Sequence, residues 1–382
     1  MSVWSKAALS DIAPIVRRPA EIIPDQTYPE LGIRSFGRGT FHKPALSGAE
    51  VGTKRLFRIE PGDLVFSNVF AWEGAIAVAS SADAGRFGSH RFITCVVDAA
   101  RANAIYLKLY LTTAPDGRGQ VESASPGGAG RNRTLGVEKL GRIEAPLPPL
   151  AEQQAIVARL DALTAKTEQL VAHLDAAERD AEHLLAVRFR DAIADAPLRP
   201  MTEVAPLVRR EVSIVPETSY TELGVRSFFK GTFQRRTVLG AEFSWQDLYS
   251  VKKDDLVFSN IMAWEQAIAV AKSEDDGCVG NHRMLTCEAK ADCAVPGFLW
   301  YYFTTPDGFD KVYAASPGTA ARNRTITASA LMAIQVPTPP LATQQSFERL
   351  QVEVAALKAE HAAIRAANAA LLPATLERIF RS

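Results

Sequence analysis

The sequence has few cysteines and no long apolar run, and both shortages exclude classes of protein. Its four cysteines, Cys95, Cys278, Cys287 and Cys293, follow no zinc-binding spacing, so we expect free thiols and no bound metal. No stretch of about 18 apolar residues occurs, which argues against a membrane-spanning helix. The first residues lack a basic segment followed by an apolar one, which indicates no secretory signal. We therefore expect a cytoplasmic protein with no membrane contact.

Catalytic motifs are also missing, and neither sign of charge is in excess. Lys and Arg total 43 and Asp and Glu total 43, and this zero net charge counts against a DNA-binding protein that acts alone. The chain has no Gly-x-x-x-x-Gly-Lys-Ser/Thr motif, no glycine-rich dinucleotide motif and no Asn-Pro-Pro-Tyr/Phe motif. We expect neither catalytic residues nor a cofactor in this chain.

What the sequence does contain is a duplication. SPGGAGRNRT at 125–134 returns as SPGTAARNRT at 316–325. The spacing between the copies is 192 residues up to Thr113 and 191 residues afterwards, so the whole chain is a tandem repeat. The other clear pairs are LGIRSFGRGTF at 31–41 with LGVRSFFKGTF at 223–233, and GDLVFSNVFAWEGAIAVA at 62–79 with DDLVFSNIMAWEQAIAVA at 254–271.

Each half divides into a β-rich segment and a helical segment. The β-rich segments, 1–148 and 197–340, hold short runs of β-branched and aromatic residues between turns, which predicts strands at DLVFSN, AIAVA, RFITCVV and MLTCEA. The apolar runs AIYLKLYLTT and GFLWYYFTT predict short helices. We expect an α+β fold in which each β-rich segment forms a domain with a curled sheet.

The helical segments, 149–196 and 341–382, repeat apolar residues every three or four positions. This spacing predicts helices over 155–195 and 345–380 with a coiled-coil seam, and Pro149 and Pro340 suit helix starts. The predicted seam residues are Ile156, Leu160, Leu163, Thr167, Leu170, Leu174, Ala177, Ala181 and Leu184, and Phe347, Leu350, Val354, Leu357, His361, Ile364, Asn368 and Leu371.

One long helix cannot bury its seam against a small domain, whereas two long helices can bury theirs against each other. We therefore expect the two long helices to pair in antiparallel fashion, with pseudo-two-fold symmetry and one domain at each end. The polar seam residues His361 and Asn368 are expected to fix the register or to face solvent.

Three stretches in these helical segments point to a family. PLPPLAEQQAIVARLDAL at 146–163, LLAVRFRDAI at 184–193 and LLPATLERIF at 371–380 resemble the conserved regions of the DNA specificity subunits of type I restriction–modification systems. The order of recognition domain, helix, recognition domain and helix covers the whole chain. The resemblance implies a non-catalytic subunit of a phage-defence complex, which reads a bipartite site on double-stranded DNA with one half-site per target-recognition domain.

The resemblance also implies partners. The helix pair would dock two methyltransferase subunits, and restriction and translocase subunits would join them. S-adenosylmethionine, ATP and Mg²⁺ would then bind the partner subunits. The two recognition domains are more alike than is usual for this family, which favours half-sites that are related as a near-palindrome.

The glycine-rich loop supplies the first candidate DNA contacts. Arginine forks suit phosphate oxygens and the guanine edge, and asparagine suits adenine. Because both copies share the loop, we expect it to hold the DNA backbone rather than to distinguish half-sites, and the alternative is that its arginines pair with local carboxylates. The candidates are Arg131, Asn132, Arg133, Arg322, Asn323 and Arg324.

A basic, turn-rich segment, SFGRGTFHK and its copy SFFKGTFQRR, supplies the second set. Its polar side chains differ between the copies, as expected of residues that read bases. Its phenylalanines, Phe36, Phe41, Phe228 and Phe233, are predicted to lie in the core. The candidate DNA contacts are Arg38, His42, Lys43, Lys230, Gln234, Arg235 and Arg236.

Two further repeated segments complete the candidates. Glutamate accepts from cytosine and asparagine pairs with adenine, although a turn with a buried Trp and a structural His explain these segments as well. Gly74 against Gln266 is a further difference between the copies that suits specificity. The candidates are Asn68, Trp72, Glu73, Asn260, Trp264 and Glu265, and His90, Arg91, His282 and Arg283.

Two other functions remain open on the sequence alone. The helices could hold two protein-binding modules as a scaffold that never meets DNA. The chain could also be a duplicated hydrolase or nuclease, for which the single carboxylates Glu73 and Glu265 are weak support. Methylation of DNA that depends on the assembled complex would separate both from the main interpretation.

Overall fold

The computed structural model describes residues 4–127, 133–243, 247–318 and 324–380. The chain forms two compact units, one of residues 1–174 and 362–382 and the other of residues 175–361. Each unit contains one β-rich part of the duplication together with a portion of each long helix.

The first unit combines short strands with helices. Its strands are β1 (Lys6–Ala8), β2 (Ile15–Val16), β3 (Thr27–Ile33), β4 (Thr40–Ser47), β5 (Leu56–Arg58), β6 (Leu64–Ser67), β7 (Ile76–Val78), β8 (Phe87–Ser89), β9 (Phe92–Cys95) and β10 (Glu144–Pro146). Its helices are α1 (Leu9–Ile12), α2 (Gly48–Val51), α3 (Ala104–Thr113), α4 (Pro115–Ala124), α5 (Val137–Gly141) and the first part of α6 (Leu150–Ile193).

The strands of the first unit form two four-stranded sheets rather than one curled sheet. Their orders are β4-β3-β8-β5 and β2-β9-β6-β7, and β1 pairs with β10 separately. Side chains alternate along β6, with Leu64 and Phe66 packing in the cluster that contains Tyr106 of α3, and Val65 packing with Leu31 of β3. The sheet that contains β6 is therefore buried on both faces, between the helices and the other sheet.

The second unit repeats this architecture. Its strands are β11 (Leu198–Pro200), β12 (Leu207–Val208), β13 (Ser219–Val225), β14 (Thr232–Leu239), β15 (Leu248–Ser250), β16 (Leu256–Ser259), β17 (Ile268–Val270), β18 (Val279–Asn281), β19 (Met284–Cys287) and β20 (Gln335–Pro337). Its helices are the last part of α6, α7 (Met201–Val204), α8 (Pro296–Thr304), α9 (Pro306–Ala314), α10 (Ala328–Ala333) and the first part of α11 (Leu341–Phe380). The sheet orders β14-β13-β18-β15 and β12-β19-β16-β17 match those of the first unit, and β11 pairs with β20.

The predicted strands and short helices are confirmed, and the long helices begin earlier than predicted. Helix α6 begins at Leu150 and α11 at Leu341, rather than at 155 and 345. The reason is local, because the carbonyl oxygen of Pro149 already accepts the amides of Glu152 and Gln153 at 2.8 and 3.1 Å. The proline supplies no amide of its own, which suits this position.

A buried glutamine in the first turn fixes each long helix to its domain. Gln153 is fully buried, and its amide nitrogen donates to the carbonyl oxygens of Arg101 and Pro148 at 3.0 and 2.8 Å. Its side-chain oxygen accepts the amide of Asn103 at 2.8 Å. Gln344 makes the equivalent three bonds in the second unit. The structural role of the repeated PPLAEQQ and PPLATQQ motifs is therefore to attach the start of each long helix to its domain.

The buried stripe of the long helices departs from the predicted seam. Leu170 and Leu184 are 37% and 42% exposed, whereas Leu185 and Phe189 are buried. A straight α-helix has 3.6 residues per turn, so a seam drawn with a period of 3.5 drifts around it and burial passes to the next position. The prediction is also wrong at Leu371, which is 48% exposed near the end of α11.

The two polar seam residues are buried and hydrogen-bonded, so they fix register rather than face solvent. In the second unit, Nδ1 of His361 lies 3.0 Å from a carboxylate oxygen of Glu178. In the first unit, the amide nitrogen of Asn368 donates to the carbonyl oxygen of Thr167 at 3.1 Å. Each bond joins α6 to α11 within one unit.

The helix segments pair in antiparallel fashion within each unit. In the second unit, Phe189 of α6 packs against Phe347 of α11 with ring centroids 5.2 Å apart, while His361 meets Glu178. In the first unit, Phe380 packs in the cluster that contains Val157. Residue numbers thus rise along α6 as they fall along α11, which confirms the predicted direction of packing.

The cysteines are free, and Cys95, Cys278 and Cys287 are buried. Burial raises the pKa of the Cys95 thiol to about 12 and also raises the pKa of Cys287. None of the helices in the described ranges combines the length and the apolarity that crossing a membrane requires.

Candidate nucleic-acid interface

The tip of the β3–β4 hairpin, residues 34–39, is attached to the turn that follows β6. The amides of Phe36 and Gly37 donate to the carbonyl oxygens of Glu73 and Gly74, both at 2.8 Å. The hydroxyl of Ser35 also donates to the carboxylate of Glu73 at 3.0 Å. Two segments that the sequence analysis singled out separately therefore form one structure.

Asn68 joins two more candidate segments to this structure through its backbone. Its amide donates to the carbonyl oxygen of Arg91 at 2.8 Å, and its own carbonyl oxygen accepts the amide of Leu135 at 2.7 Å. The hairpin tip, the β6–β7 turn, the His90–Arg91 connection and the end of the glycine-rich loop thus meet on the first unit. We call this arrangement the four-loop surface.

The second unit builds the same surface with the same bonds. The amides of Phe228 and Phe229 donate to the carbonyl oxygens of Glu265 and Gln266, both at 2.9 Å. The backbone of Asn260 bonds to Arg283 and Ile326 just as Asn68 bonds to Arg91 and Leu135. The duplication has therefore preserved the relative placement of the four segments.

Two of the four phenylalanines predicted to be core residues are exposed, so that prediction is wrong for them. Phe36 is 73% exposed and Phe228 is 63% exposed. Both have φ of 60°, the left-handed region that a residue with a side chain rarely adopts. This backbone turn at the hairpin tip directs the ring away from the core.

The other two phenylalanines are half-buried on their hairpins. Phe41 lies opposite Gly32 in the strand register, and Phe233 lies opposite Gly224. Each ring occupies the space that a side chain on the glycine would fill, since a Cβ on Gly32 would clash with the ring of Phe41. The glycine is needed here for close approach rather than for flexibility.

The described arginine of each glycine-rich loop stacks on an aromatic ring. The guanidinium carbon of Arg133 lies 5.1 Å from the ring centre of Trp72, and that of Arg324 lies 4.1 Å from the ring of Tyr313. Arg324 also donates to the carbonyl oxygen of Ser316 at 3.1 Å. The remaining candidates of these loops, Arg131, Asn132, Arg322 and Asn323, lie outside the described residues.

Side chains of the β6–β7 turn, and of its copy in the second unit, stabilise the surface through hydrogen bonds within their own unit. The indole nitrogens of Trp72 and Trp264 donate to the carbonyl oxygens of Val69 and Ile261 at 3.0 and 2.9 Å, and both rings are half-buried. The carboxylate of Glu265 accepts the hydroxyl of Ser227 at 3.3 Å, as Glu73 accepts Ser35. These glutamates position the hairpin tip in this structure.

The asparagine side chains are oriented inward as well. The side-chain oxygens of Asn68 and Asn260 are buried, and no described group donates a hydrogen bond to either. A buried oxygen does not face a base edge in this conformation. The contribution of these residues to the surface is the backbone bonding described above.

Three candidates on β4 and β14 are held by neighbours of the same unit. Nε2 of His42 lies 3.0 Å from the carboxylate of buried Asp83. The amide nitrogen of Gln234 donates to the carbonyl oxygen of Glu274 at 2.8 Å, and Nε of Arg236 donates to Glu222 at 2.8 Å.

The pKa of Asp83 lies below its ordinary value. Burial alone would raise this pKa, but hydrogen bonds from the backbone of Ser80, from His42 and from the hydroxyls of Ser80 and Thr40 together outweigh it. Asp83 is thus a charged group beneath the hairpin, and its carboxylate holds His42 in place.

The other polar candidates are available at the surface. Arg235 and Arg283 line a groove of about 320 Å³ on the second unit, beside Ser259 and Asn281. Lys43 is half-buried. The remaining candidates are exposed, and they are Arg38, His90, Arg91, Lys230 and His282.

The arrangement suits an anionic, partly flat ligand. Exposed guanidinium and ammonium groups bind phosphate oxygens, and flat rings stack on bases. Within the described ranges, no three His, Cys, Asp or Glu side chains are grouped as a metal ion would require. The titratable carboxylates of the surface, Glu73 and Glu265, are engaged with serine hydroxyls.

Residues outside the predicted candidates also hold this surface together. The hydroxyls of Ser35 and Ser227 donate to the carboxylates of Glu73 and Glu265. The guanidinium groups of Arg34 and Arg226 donate to the carbonyl oxygens of Thr40 and Thr232 across the hairpin tips. The identical Arg-Ser-Phe triplet in both copies is the sequence feature that could have identified these residues.

Comparison with known proteins gives a result at the level of structure. No protein-family model matches the chain, and no curated protein matches it in sequence. The structure of the HsdS subunit from Thermoanaerobacter tengcongensis is similar, with a TM-score of 0.69 and 19% identity over 100% of this chain and 97% of that chain. A chain from a structure that describes complex assembly and conformational transition of the type I R-M system is similar as well, with a TM-score of 0.67, 19% identity, and coverage of 100% and 98%. The chain thus has the fold of the specificity subunits of type I restriction–modification systems.

Proposed function

We propose that this chain is the DNA-recognition subunit of a type I restriction–modification complex, without catalysis of its own. The observation that carries the proposal is the duplicated four-loop surface, which presents cations and flat rings twice on a fold shared with HsdS along its whole length. Each surface would read one half of a bipartite site on double-stranded DNA.

The charge of the chain agrees with a shared task. Zero net charge is low for a protein that binds DNA alone, since phosphate contacts dominate such affinity. A complex in which partner subunits supply part of the phosphate contacts relieves this requirement. The cations of this chain then need only to position the four-loop surface on the duplex.

The partners follow from the same proposal. The paired segments of α6 and α11 carry exposed leucines and valine outside their buried stripe, including Leu170, Leu184, Val352 and Leu371. We infer that two methyltransferase subunits dock on these helices, and that restriction and translocase subunits join the assembly. S-adenosylmethionine, ATP and Mg²⁺ would be bound by those partners.

Differences between the two surfaces would set differences between half-sites. Lys43 is replaced by Arg235 at the equivalent place on the hairpin, and Gly74 is replaced by Gln266 in the turn. The bonds that join the four segments are the same in both units. We therefore infer that the half-sites are similar to inverted copies of each other, with departures where these side chains differ.

The test is genome-wide mapping of methylated adenine in a host that expresses the cognate methyltransferase with and without this chain. A bipartite motif that appears only with the chain supports the proposal and reveals both half-sites. If the complex assembles and no motif appears, the duplicated surfaces bind something other than DNA sequence, as a scaffold would. Two unrelated half-sites would refute the inverted-repeat inference alone.

A further inference from the structure

The most exposed large apolar side chain among the described residues is Phe36, and its repeat equivalent Phe228 is nearly as exposed. A phenylalanine stabilises the fold when its ring is buried, and neither of these rings obtains more than part of that stabilisation. Both residues also occupy the left-handed backbone region, with φ of 60°. Two unfavourable features thus coincide at one position in each copy, and such strain clusters where a protein binds its ligand.

The backbone that carries each ring is held by hydrogen bonds rather than lying on a loose loop. Three hydrogen bonds tie residues 35–37 to the turn at Glu73 and Gly74, and three equivalent bonds tie residues 227–229 to Glu265 and Gln266. A group that is fixed before binding loses little conformational entropy when its ligand arrives. The structure therefore fixes the backbone position of each phenylalanine relative to the rest of the four-loop surface.

A cation accompanies each ring. The guanidinium carbon of Arg38 lies 5.7 Å from the ring centre of Phe36, and Nζ of Lys230 lies 5.6 Å from that of Phe228. The arginine of one copy is a lysine in the other, so the positive charge is kept while the hydrogen-bonding geometry is not. A contact to a phosphate requires only a positive charge, whereas a bidentate contact to a base would require the forked guanidinium group of arginine.

We propose that Phe36 and Phe228 are wedges that insert between neighbouring base pairs, one in each half-site, while Arg38 and Lys230 bind the adjacent phosphates. Apolar side chains that partly unstack a base step are a known way to bend a duplex around a protein. The inference rests on the proposed function, because it assumes that the four-loop surface meets DNA. It adds that recognition includes distortion of the duplex at two defined steps.

The chain offers matched control residues. Ile23 and Val215 are repeat equivalents that are 42% and 47% exposed. They lie near the opposite end of the hairpins, where the amides of Gln26 and Thr218 bond to their carbonyl oxygens. Ile23→Ala and Val215→Ala thus remove exposed apolar surface far along the strands from the wedge.

The experiment uses the full chain assembled with its methyltransferase partner, and DNA carrying 2-aminopurine at successive positions of each half-site except the methylated adenine. With the wild-type chain, we expect fluorescence to rise at one step per half-site. Phe36→Ala should abolish the rise in one half-site only and weaken binding about 5- to 150-fold, the range found for one stacked base. Phe228→Ala should do the same in the other half-site, and the two control variants should leave both readouts unchanged.

Two additional measurements separate the alternatives. Phe36→Gly removes the ring while favouring φ of 60°, so it preserves the hairpin if the alanine variant folds poorly. The salt dependence of binding should stay the same in both variants, because no charge is removed.

The proposal is overturned if the wild-type complex methylates its site and the Phe36→Gly complex binds and distorts that site as strongly as the Ile23→Ala complex does. It is also overturned if the phenylalanine variants lose the methyltransferase subunit during gel filtration, because the rings would then be protein contacts. If the wild-type complex binds no specific site at all, the proposed function fails, and the wedge fails with it.

Discussion

Replacing Gln153 with alanine should weaken the attachment of the first long helix to its domain. The side chain is fully buried and makes three hydrogen bonds, to the carbonyl oxygens of Arg101 and Pro148 and from the amide of Asn103. A net contribution of about 1 kcal/mol for each bond gives a loss of about 3 kcal/mol, since the buried peptide groups are left without partners. Asn103 is also the N-cap of α3, where its side chain accepts the amides of residues 105 and 106.

Hydrogen exchange followed by mass spectrometry is the appropriate assay, because a chain with two units does not unfold in one step. The amide of Asn103 should exchange about 100-fold faster in Gln153→Ala, since each 1.4 kcal/mol corresponds to about a factor of ten. Gln154→Ala is the matched control, because Gln154 is exposed on the next position of the helix. Gln344→Ala and Gln345→Ala repeat the comparison in the second unit.

Equal exchange rates in Gln153→Ala and Gln154→Ala would contradict this expectation. That result would mean that water replaces the glutamine at no cost, and that the PPLAEQQ motif does not fix the helix through this side chain. A further variant, Gln153→Glu, keeps the acceptor for Asn103 but loses the amide donors. It should therefore be at least as unstable as the alanine variant.

Three other predictions concern strain, pH and thiol reactivity. Gln266 has φ of 67°, so Gln266→Gly should stabilise the second unit by about 1 kcal/mol in hydrogen-exchange measurements, whereas Gly74→Gln should destabilise the first; opposite signs would contradict the strain. Because the pKa of Asp83 is lowered by folding, its stabilisation is present above the unfolded pKa of about 3.9 and is lost as pH falls through the lower folded value. Asp83→Asn should therefore be less stable at pH 7 and show a shallower loss of stability in acid, and an unchanged acid profile would contradict this role. In maleimide labelling at pH 8, half-exposed Cys293 should react first, whereas buried Cys95, with a pKa of about 12, should stay unmodified unless the chain unfolds.

The sequence predicted the elements well where their pattern was local. The apolar runs that became β6, β9, α3 and α8 are each flanked by turn residues, and neighbouring groups decide such elements. It predicted the seam of α6 less well, because the period of burial depends on how a helix twists against its partner. Leu184 and Leu185 are adjacent leucines, and only packing determines that Leu185 is the buried one.

The candidate surface shows the same division. The repeated loops identified the right segments, since the same residues recur in both copies. They could not show that Glu73 faces Ser35 or that His42 faces Asp83, because those pairs are separated by about 40 residues and meet only in the tertiary structure. The exposed position of Phe36 was equally hidden, since a phenylalanine in a mixed segment normally lies inside.

The amino-acid sequence alone establishes that the chain is two copies of one plan, each with a strand-rich part followed by a long helix. Residue identities and their periodicity are sufficient for that, because both are written along the chain. Folding is what separates the side chains of the repeated loops into those that anchor their neighbours and those that remain exposed to a ligand. This separation depends on contacts between segments that are distant in sequence. A candidate DNA contact that forms one such hydrogen bond holds its neighbour in place instead of facing the ligand.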